Sequence, residues 1–500
     1  MANTSFHFDS ADEAASARLA TWLAAALHAP TLIFLHGDLG TGKTAFGRGF
    51  IRARCGQSTH VPSPSFAIVQ PYEAALPIWH ADLYRLSAPQ EIDELGLVEA
   101  LTDHICLIEW PENGAGVLPE ADIHVTLAMA ENGRHIIIEA TAEICAALSK
   151  SATRDAALQD FLADTDWHSA NRTPLAGDAS TRRYERLLTE AGSAVLMDWQ
   201  AAPDGPTVYD GKSYSQVAHL AEAMPRFADM VQWLGDAGLA APMLYACDRD
   251  QGFAVLEDFG DHHMAAPARD ESQIDRIVFY YEAVETLLYL HAQTPPTFLP
   301  AYDGAVQAVE ASLFTDWFLP WRGIDIDDAA KQEWHDIWQR LGDTLVQADA
   351  VTVLRDYHSV NLLWRPRAQA RHRIGLIDVQ DALTGHAAYD VASLICDARI
   401  DVSPAHQQNM LAHYLDRRFG DDDAALTDFH AAFAITCAQR NLKIAGIFIR
   451  LAERDGKPAY LAHLPRIMGY LKTYLAAPAL QPVADWLAHH ADGALELEHD

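Results

Sequence analysis

The run Gly37-Asp38-Leu39-Gly40-Thr41-Gly42-Lys43-Thr44 has the spacing of a loop that cradles phosphate. Its glycines let successive backbone N–H groups turn inward around an anion, and a helix starting at its end adds the field of its dipole. Lys43 is placed to bridge the β- and γ-phosphates of a nucleoside triphosphate, and the Thr44 hydroxyl to ligate Mg²⁺. The apolar run Thr31–His36 before the loop and a helical stretch, Ala45–Arg54, after it supply the strand–loop–helix context. A surface turn spelling the same letters would lack that context. Cys106-Leu107-Ile108-Glu109 is an apolar strand ending in an acid, so Glu109 could hold Mg²⁺ or its water at the sheet edge. Asp82, in His80-Ala81-Asp82-Leu83-Tyr84-Arg85-Leu86, follows another short strand. The competing readings are a helix cap for Asp82 and a solvated strand end for Glu109.

A second constellation lies far downstream. Val353-Leu354-Arg355-Asp356-Tyr357-His358-Ser359-Val360-Asn361 is followed by Ile374-Gly375-Leu376-Ile377-Asp378. An Asp, an Asn five positions on, and an Asp closing an apolar strand form the catalytic arrangement of a kinase. Asp356 would accept the proton of a substrate hydroxyl, while Asn361 and Asp378 would hold Mg²⁺ against the phosphates of ATP. Val195-Leu196-Met197-Asp198 offers no Lys where kinases grip the α- and β-phosphates, so Arg182 or Arg183 is the candidate for that charge; the competing reading is a pair of surface arginines. His358, Gln380 and Asp381 are candidates for acceptor contacts or for bracing the loop, and Asp390 for a helix-start or loop-bracing acid. Trp317, Trp321, Trp334 and Trp338 read as helix packing ahead of a stacking platform.

The chain must position two sites, and at 500 residues it is long enough for two cores. Half the residues are hydrophobic and 21% charged, an ordinary globular composition. No apolar run approaches the ~20 residues that span a bilayer, and the acidic start Met1–Glu13 lacks the segments of a signal peptide. Six scattered cysteines without a C-x-x-C pair read as reduced thiols, and the histidines show no metal-ligand spacing. These features lead us to expect a cytoplasmic protein with no membrane role. A formal charge of −33 repels a nucleic-acid backbone, so any role near nucleic acid would run through a partner protein.

Residues 6–150 alternate short strands and helices. Leu19, Leu23 and Leu27 recur at helical spacing. Strands are expected at Phe66–Gln70, Ile78–His80, Ile105–Glu109, Ile123–Ala128 and His135–Ala140, the last two closed into a hairpin by Asn132-Gly133. Around Ser149–Asp155 the pattern becomes a polar, alanine-rich helix, and the junction is placed there, giving domains 1–148 and 158–495. Strands return at Tyr184–Leu188, Ala194–Asp198 and Phe253–Glu257; from 271 the chain is mostly helical, with strand-like pieces at 351–364 and 374–379. Ile277, Tyr281, Val284, Leu288 and His291 predict one apolar helix face. The expected fold class is α/β, a P-loop NTPase domain followed by a bilobal, protein-kinase-like domain.

Val61-Pro62-Ser63-Pro64-Ser65-Phe66, His80–Leu86, Glu94-Leu95-Gly96 and Ile108-Glu109-Trp110-Pro111-Glu112, with the glycine loop, resemble the TsaE family over about residues 6–145. That family comprises small ATPases of the bacterial system that makes threonylcarbamoyladenosine in tRNA. The resemblance implies ATP hydrolysis in support of a transferase complex with TsaD and TsaB, Asp82 and Glu109 as metal and water acids, Ser65 in a switch-like segment and Trp110 near the base. Ser65 stands where the family usually has Thr, and the hydroxyl survives. Gly177-Asp178-Ala179-Ser180-Thr181-Arg182-Arg183-Tyr184, Gly252–Asp261, Leu354–Leu363 and Ile377–Arg399 resemble the aminoglycoside phosphotransferase superfamily over about residues 158–490. Within it, Asp178-Ala179-Ser180, Arg355–Ser359, Asp378–Ala382 and Tyr389-Asp390 are similar to the N-acetylmuramate/N-acetylglucosamine kinases. This likeness implies transfer of the ATP γ-phosphoryl to the C1 hydroxyl of an amino sugar. Leu354 replaces the usual His of His-x-Asp. Two alternatives stay open: a catalytically silent interaction module, and a kinase acting on an aminoglycoside, choline or homoserine.

Overall fold

The computed structural model describes residues 4–65, 67–86, 88–175, 182–201, 207–209, 211–265, 273–346 and 350–497. The chain divides into two units, Met1–Ser169 and Ala170–Asp500.

In the first unit β1 (Thr4–Ser10), α1 (Glu13–Ala26), β2 (Thr31–His36), α2 (Lys43–Cys55), β3 (Val69–Tyr72), β4 (Ile78–Asp82), a one-turn α3 (Leu97–Ala100), β5 (Ile105–Glu109), β6 (Ile123–Ala130), β7 (Gly133–Ala140) and α4 (Ala142–Ala163) follow in order. The sheet order is β1-β7-β6-β2-β5-β4-β3. Strands β4, β5, β2 and β6 run parallel, and antiparallel strands close both edges. Successive side chains of a strand face opposite ways, so Ile33 and Leu35 enter one core cluster while Leu32 enters another across the sheet. Both faces are covered, which is why β2 and β5 read as unbroken apolar runs. Asp12 caps α1 by accepting from Ala15 N at 2.7 Å.

Two expectations shift here. The expected junction at 149–155 falls inside α4, which is capped by Thr141 and packs on α1 and β7. The strand placed at Phe66–Gln70 begins at Val69; Phe66 lies outside the described residues. Ile68 donates its N–H to Pro64 O at 2.7 Å with φ 64°, a turn that precludes an earlier start.

The second unit opens with β8 (Asn171–Leu175), β9 (Arg183–Thr189) and β10 (Gly192–Asp198), then the ribbon β11 (Thr207–Tyr209) and β12 (Lys212–Ser213), α5 (Tyr214–Val217), α6 (Met224–Asp236), β13 (Leu244–Asp248) and β14 (Phe253–Glu257). Its antiparallel sheet has the order β13-β14-β10-β9-β8. Helices follow: α7 (Gln273–His291), α8 (Gly304–Leu313), α9 (Leu319–Trp321) and α10 (Asp328–Val346). The paired strands β15 (Ala350–Val353) and β18 (Leu383–His386) enclose the hairpin β16 (Leu362–Trp364) and β17 (Ile374–Leu376). The chain ends with α11 (Ala388–Ile395), α12 (Pro404–Phe419), α13 (Asp423–Glu453), α14 (Leu464–Tyr474) and α15 (Gln481–His490).

Helix α13 lies against α8 so closely that a Cβ at Gly446 would stand 2.1 Å from Leu313 O. The expected apolar face of α7 is rotated. Phe279, Tyr280, Ala283, Val284, Leu287 and Leu290 are buried, whereas Ile277 is 40% exposed. The helix packs on α12, β15 and β17 together, so the wider aromatic-rich stripe wins. Trp334 and Trp338 are buried in helix packing as expected, while Trp321 is 40% exposed.

Candidate active sites

In the first unit the register of the parallel strands does the positioning. Leu35 pairs with Glu109 and Glu109 with Asp82, so both acids and the entry to the glycine loop share one end of the sheet. Open α/β sheets place their ligands at this carboxyl end. The loop needs its glycines: Gly37, Gly40 and Gly42 have φ of 135°, 83° and 101°, and a Cβ at Gly37 would lie 2.3 Å from Leu127 O. The Lys43 ammonium donates to the carbonyls of Gly37 at 2.6 Å and Asp38 at 3.0 Å, and lies 3.7 Å over the Trp110 ring. Burial lowers its pKa, partly offset by Glu109, Glu112 and Asp82.

Thr44 Oγ1 donates to Glu109 Oε2 at 2.9 Å, while His80 Nε2 meets Glu109 Oε1 at 2.9 Å. His80 and Glu109 are both buried, which rules out the solvated strand end. Room for the imidazole comes from Gly47 on α2, where a Cβ would stand 3.0 Å from His80 Nε2. Asp82 accepts from the Ser65 hydroxyl and, at 3.0 Å, from Tyr84 N, so it caps a short helical turn while facing the site. Trp110 sits at φ 57° with the Tyr84 ring 5.0 Å away. Arg134, on β7, donates to Thr41 O at 2.8 Å and flanks Gly42. The short stem of positive-φ glycines, the buried ammonium bonded to loop carbonyls and the Thr44–Glu109 pair fit a magnesium–nucleotide chelate.

The second site is built on two strained residues. Arg355, before Asp356, has φ 66°, and Asp378 has φ 59°. Asp390, fully buried on α11, holds the first by accepting from Leu354 N at 2.7 Å and Arg355 N at 2.9 Å. Loop bracing is therefore its place. Asp397 accepts from Ser359 N at 2.8 Å. Asn361 Nδ2 donates to Asp356 O at 3.1 Å, and Ile377 N to Asn361 O at 3.2 Å, so the β16–β17 hairpin brings Asp356, Asn361 and Asp378 together. The side chain of Asp356 is 39% exposed, with open oxygens.

Below the loop, Glu310 pairs with Arg355 and, at 2.6 Å, with Lys443, and accepts from Tyr302 Oη at 2.6 Å. Burial alone would raise Glu310, but the two cations bring it down to about 2. Arg355 reaches on to Ala218 O at 3.0 Å and Asp381 O at 3.4 Å. Leu354, in the position of the missing His, is buried and apolar.

Arg182 pairs with Asp378 at 2.7 Å and lies 5.1 Å from the Trp199 ring. Burial opposes its charge, yet Asp378 raises its pKa overall. Arg183 is exposed at the first residue of β9, opposite Asp198. Gly177–Thr181 lie outside the described residues. Gln380 Nε2 donates to Asp378 Oδ1 at 3.0 Å and Asp381 Oδ2 at 3.3 Å, and Asp381 Oδ1 accepts from Ala221 N at 2.6 Å. Both are engaged in bracing the Asp378 turn. Among the described residues no three His, Cys, Asp or Glu side chains cluster around a metal position. The expected sets, Thr44 with Glu109 and Asn361 with Asp378, leave the remaining positions to phosphate oxygens and water, as Mg²⁺ sites commonly do.

Residues 10–136 match the family described as Threonylcarbamoyl adenosine biosynthesis protein TsaE, and residues 171–429 the Phosphotransferase enzyme family. The chain is 35% identical over 359 residues to the N-acetylmuramate/N-acetylglucosamine kinase of Caulobacter vibrioides, covering 68% of this chain and 97% of that protein. Its counterpart in Pseudomonas putida is 29% identical, with 68% and 95% covered. The TsaE protein of Rickettsia conorii is 38% identical over 151 residues, covering 30% of this chain and 82% of that protein. The chain belongs to both families. It joins a TsaE unit to a phosphotransferase unit, and it is an ATP-using enzyme. No helix among the described residues is long and apolar enough to cross a membrane.

Within the TsaE unit, sequence reasoning passed over His80 and Arg134. His80 stood inside a quoted motif, but only the strand register reveals that it faces Glu109. Arg134 carries no local signal at all, because the β6–β7 hairpin delivers it to the loop from far along the chain. In the phosphotransferase unit Asp397, Glu310 and Lys443 went unread for the same reason.

Proposed function

We propose that the chain is bifunctional. The phosphotransferase unit transfers the γ-phosphoryl of ATP to the anomeric hydroxyl of N-acetylmuramate or N-acetylglucosamine, and the TsaE unit hydrolyses ATP in support of threonylcarbamoyladenosine formation with TsaD- and TsaB-like partners, reaching tRNA through them. The observation that carries the kinase reading is the meeting of Asp356, Asn361 and Asp378 on one hairpin, with the Asp356 carboxylate open and those of Asp390 and Asp397 consumed by backbone N–H groups. Asp356 takes the proton of the acceptor hydroxyl. Asn361 and Asp378 would hold Mg²⁺, which neutralises phosphate charge when ATP is bound. Arg182, already aimed at Asp378, supplies the cation that β10 lacks, with Met197 and Asp198 standing where a Lys is expected. Full occupation of the catalytic positions favours this reading over a silent module. Both reactions draw on cytoplasmic ATP, and there we place the protein.

The deciding measurement is phosphate transfer to each sugar, read by mass spectrometry and ³¹P NMR; absence of product with both would sink the sugar-kinase assignment. In the TsaE unit Glu109 and Asp82 would hold Mg²⁺ and orient water, Thr44 would join the metal, and Trp110 would meet the base. Replacing Lys43 by Ala removes a charged donor and is expected to weaken ATP binding to this unit roughly 10- to 100-fold. Calorimetric titration in an Asp378→Ala background checks it; an affinity change under about threefold would contradict the role.

A further inference from the structure

A buried guanidinium carries donors that must be satisfied, and in a chain with 69 Asp and Glu against 36 Lys and Arg carboxylates are plentiful. Two guanidinium groups that pair with no carboxylate lie near His358, two residues after Asp356. Arg440, on α13, is 4% exposed; its Nη2 donates to Ser393 Oγ at 2.8 Å, and its Nε and Nη1 have no hydrogen-bond partner. Arg399, half-buried in the turn after α11, reaches His358 Nε2 with Nη1 at 3.2 Å. Among the described residues neither guanidinium forms an ion pair.

The same corner is held rigidly against the catalytic loop. Asp397 accepts from Arg399 N at 2.7 Å with one oxygen and from Ser359 N at 2.8 Å with the other, so one buried carboxylate fixes both segments in a common frame. A guanidinium only donates, so His358 Nε2 accepts from Arg399 and the ring is neutral. Burial, with Arg399 and Arg440 alongside, keeps the imidazole well below its ordinary pKa. The same Nε2 is 3.7 Å from Asp356 Oδ1, which puts Arg399 one imidazole away from the candidate base. Of the neighbouring acids, Asp397 is spent on backbone N–H groups and Asp401 is paired with Arg466 at 2.6 Å. Neither acid engages the guanidinium of Arg399 or Arg440, so both keep donors that a bound carboxylate can take up.

We propose that Arg399, with Arg440 behind it, determines acceptor specificity by binding the carboxylate of an acidic amino sugar. The inference rests on the sugar-kinase reading above. N-acetylmuramate carries a carboxylate on its lactyl ether and N-acetylglucosamine carries none, so Arg399 favours the acid through a charge-assisted, forked contact. A polycationic aminoglycoside or choline would meet like charge at this place.

The test compares kcat/KM for N-acetylmuramate, its carboxamide and N-acetylglucosamine in the full chain, in wild type, Arg399→Gln and Arg399→Lys. Wild type is expected to prefer the acid to its carboxamide. Arg399→Gln is expected to lower the acid-to-neutral ratio about 10- to 100-fold, and Arg399→Lys, which keeps the charge and loses the fork, to fall between. An unchanged ratio in Arg399→Gln, or a parallel loss with all three acceptors, overturns the assignment. If Arg399→Gln does not fold, the wild-type comparison decides alone, because equal rates with acid and carboxamide overturn it. Wild type inert toward all three overturns the sugar-kinase reading itself, a distinguishable result.

Discussion

Replacing Asp356 by Ala is expected to lower formation of sugar 1-phosphate by about 10²- to 10⁴-fold, the range for losing a positioned base. The expectation rests on which carboxylates near the loop are free to act. Asp390 and Asp397 are buried and accept backbone N–H groups, and Asp381 accepts from Ala221 N and Gln380. Asp356 alone among these four keeps an open side chain, 39% exposed, and its own carbonyl is anchored by Asn361 at 3.1 Å. The substitution should therefore remove chemistry and leave the loop in place, so KM for ATP should change far less than kcat. Measuring sugar phosphate directly in a Lys43→Ala background excludes ATP consumed by the TsaE unit. A loss smaller than about threefold would remove Asp356 from the mechanism.

The second large effect concerns stability. Glu310 is fully buried between Arg355 and Lys443, with Tyr302 and Gln439 completing its bonds. Glu310→Ala strands two cations in the interior and is expected to cost the phosphotransferase unit about 3–5 kcal/mol. Chemical denaturation followed by intrinsic probes of that unit's transition measures it; a cost below about 1 kcal/mol would mean that water or rearrangement compensates. The sign with pH follows from the depressed carboxylate. Folding holds Glu310 near 2, below its unfolded value of roughly 4.3. Its contribution is thus fully present above the unfolded value and is lost as pH falls toward 2. Wild type should accordingly lose stability across that acid window more steeply than Glu310→Ala. Kinase activity should fall with stability, because Arg355 ties this cluster to the left-handed turn before Asp356.

The candidate constellations could be read because each piece is a short local pattern: the loop Gly37–Thr44, an acid ending an apolar strand at Asp82 and Glu109, and Asp356 with Asn361 and Asp378. The strands around them were legible where burial on both faces made them uniformly apolar, as in β2 and β5. What escaped depends on pairing between distant segments. His80 against Glu109 needs the β4–β5 register, and Arg134 against Gly42 needs a hairpin that returns to the loop. The rotated face of α7 could not be read because several partners pack on it at once. Arg182 was singled out for charge alone; that it points at Asp378 is a property of the folded lobe.

Trp110 stands under a cation, and this has a practical use. Indole emission responds to charge placed on the ring, and the Lys43 ammonium lies 3.7 Å from its centroid. Phosphate that draws Lys43 away from the carbonyls of Gly37 and Asp38 is expected to change its place over this ring. The TsaE unit therefore carries a built-in optical reporter of its own occupancy. With 12 tryptophans in the chain, the difference in fluorescence between wild type and Trp110→Phe isolates that one signal. Nucleotide occupancy of this unit can then be followed in real time without a label.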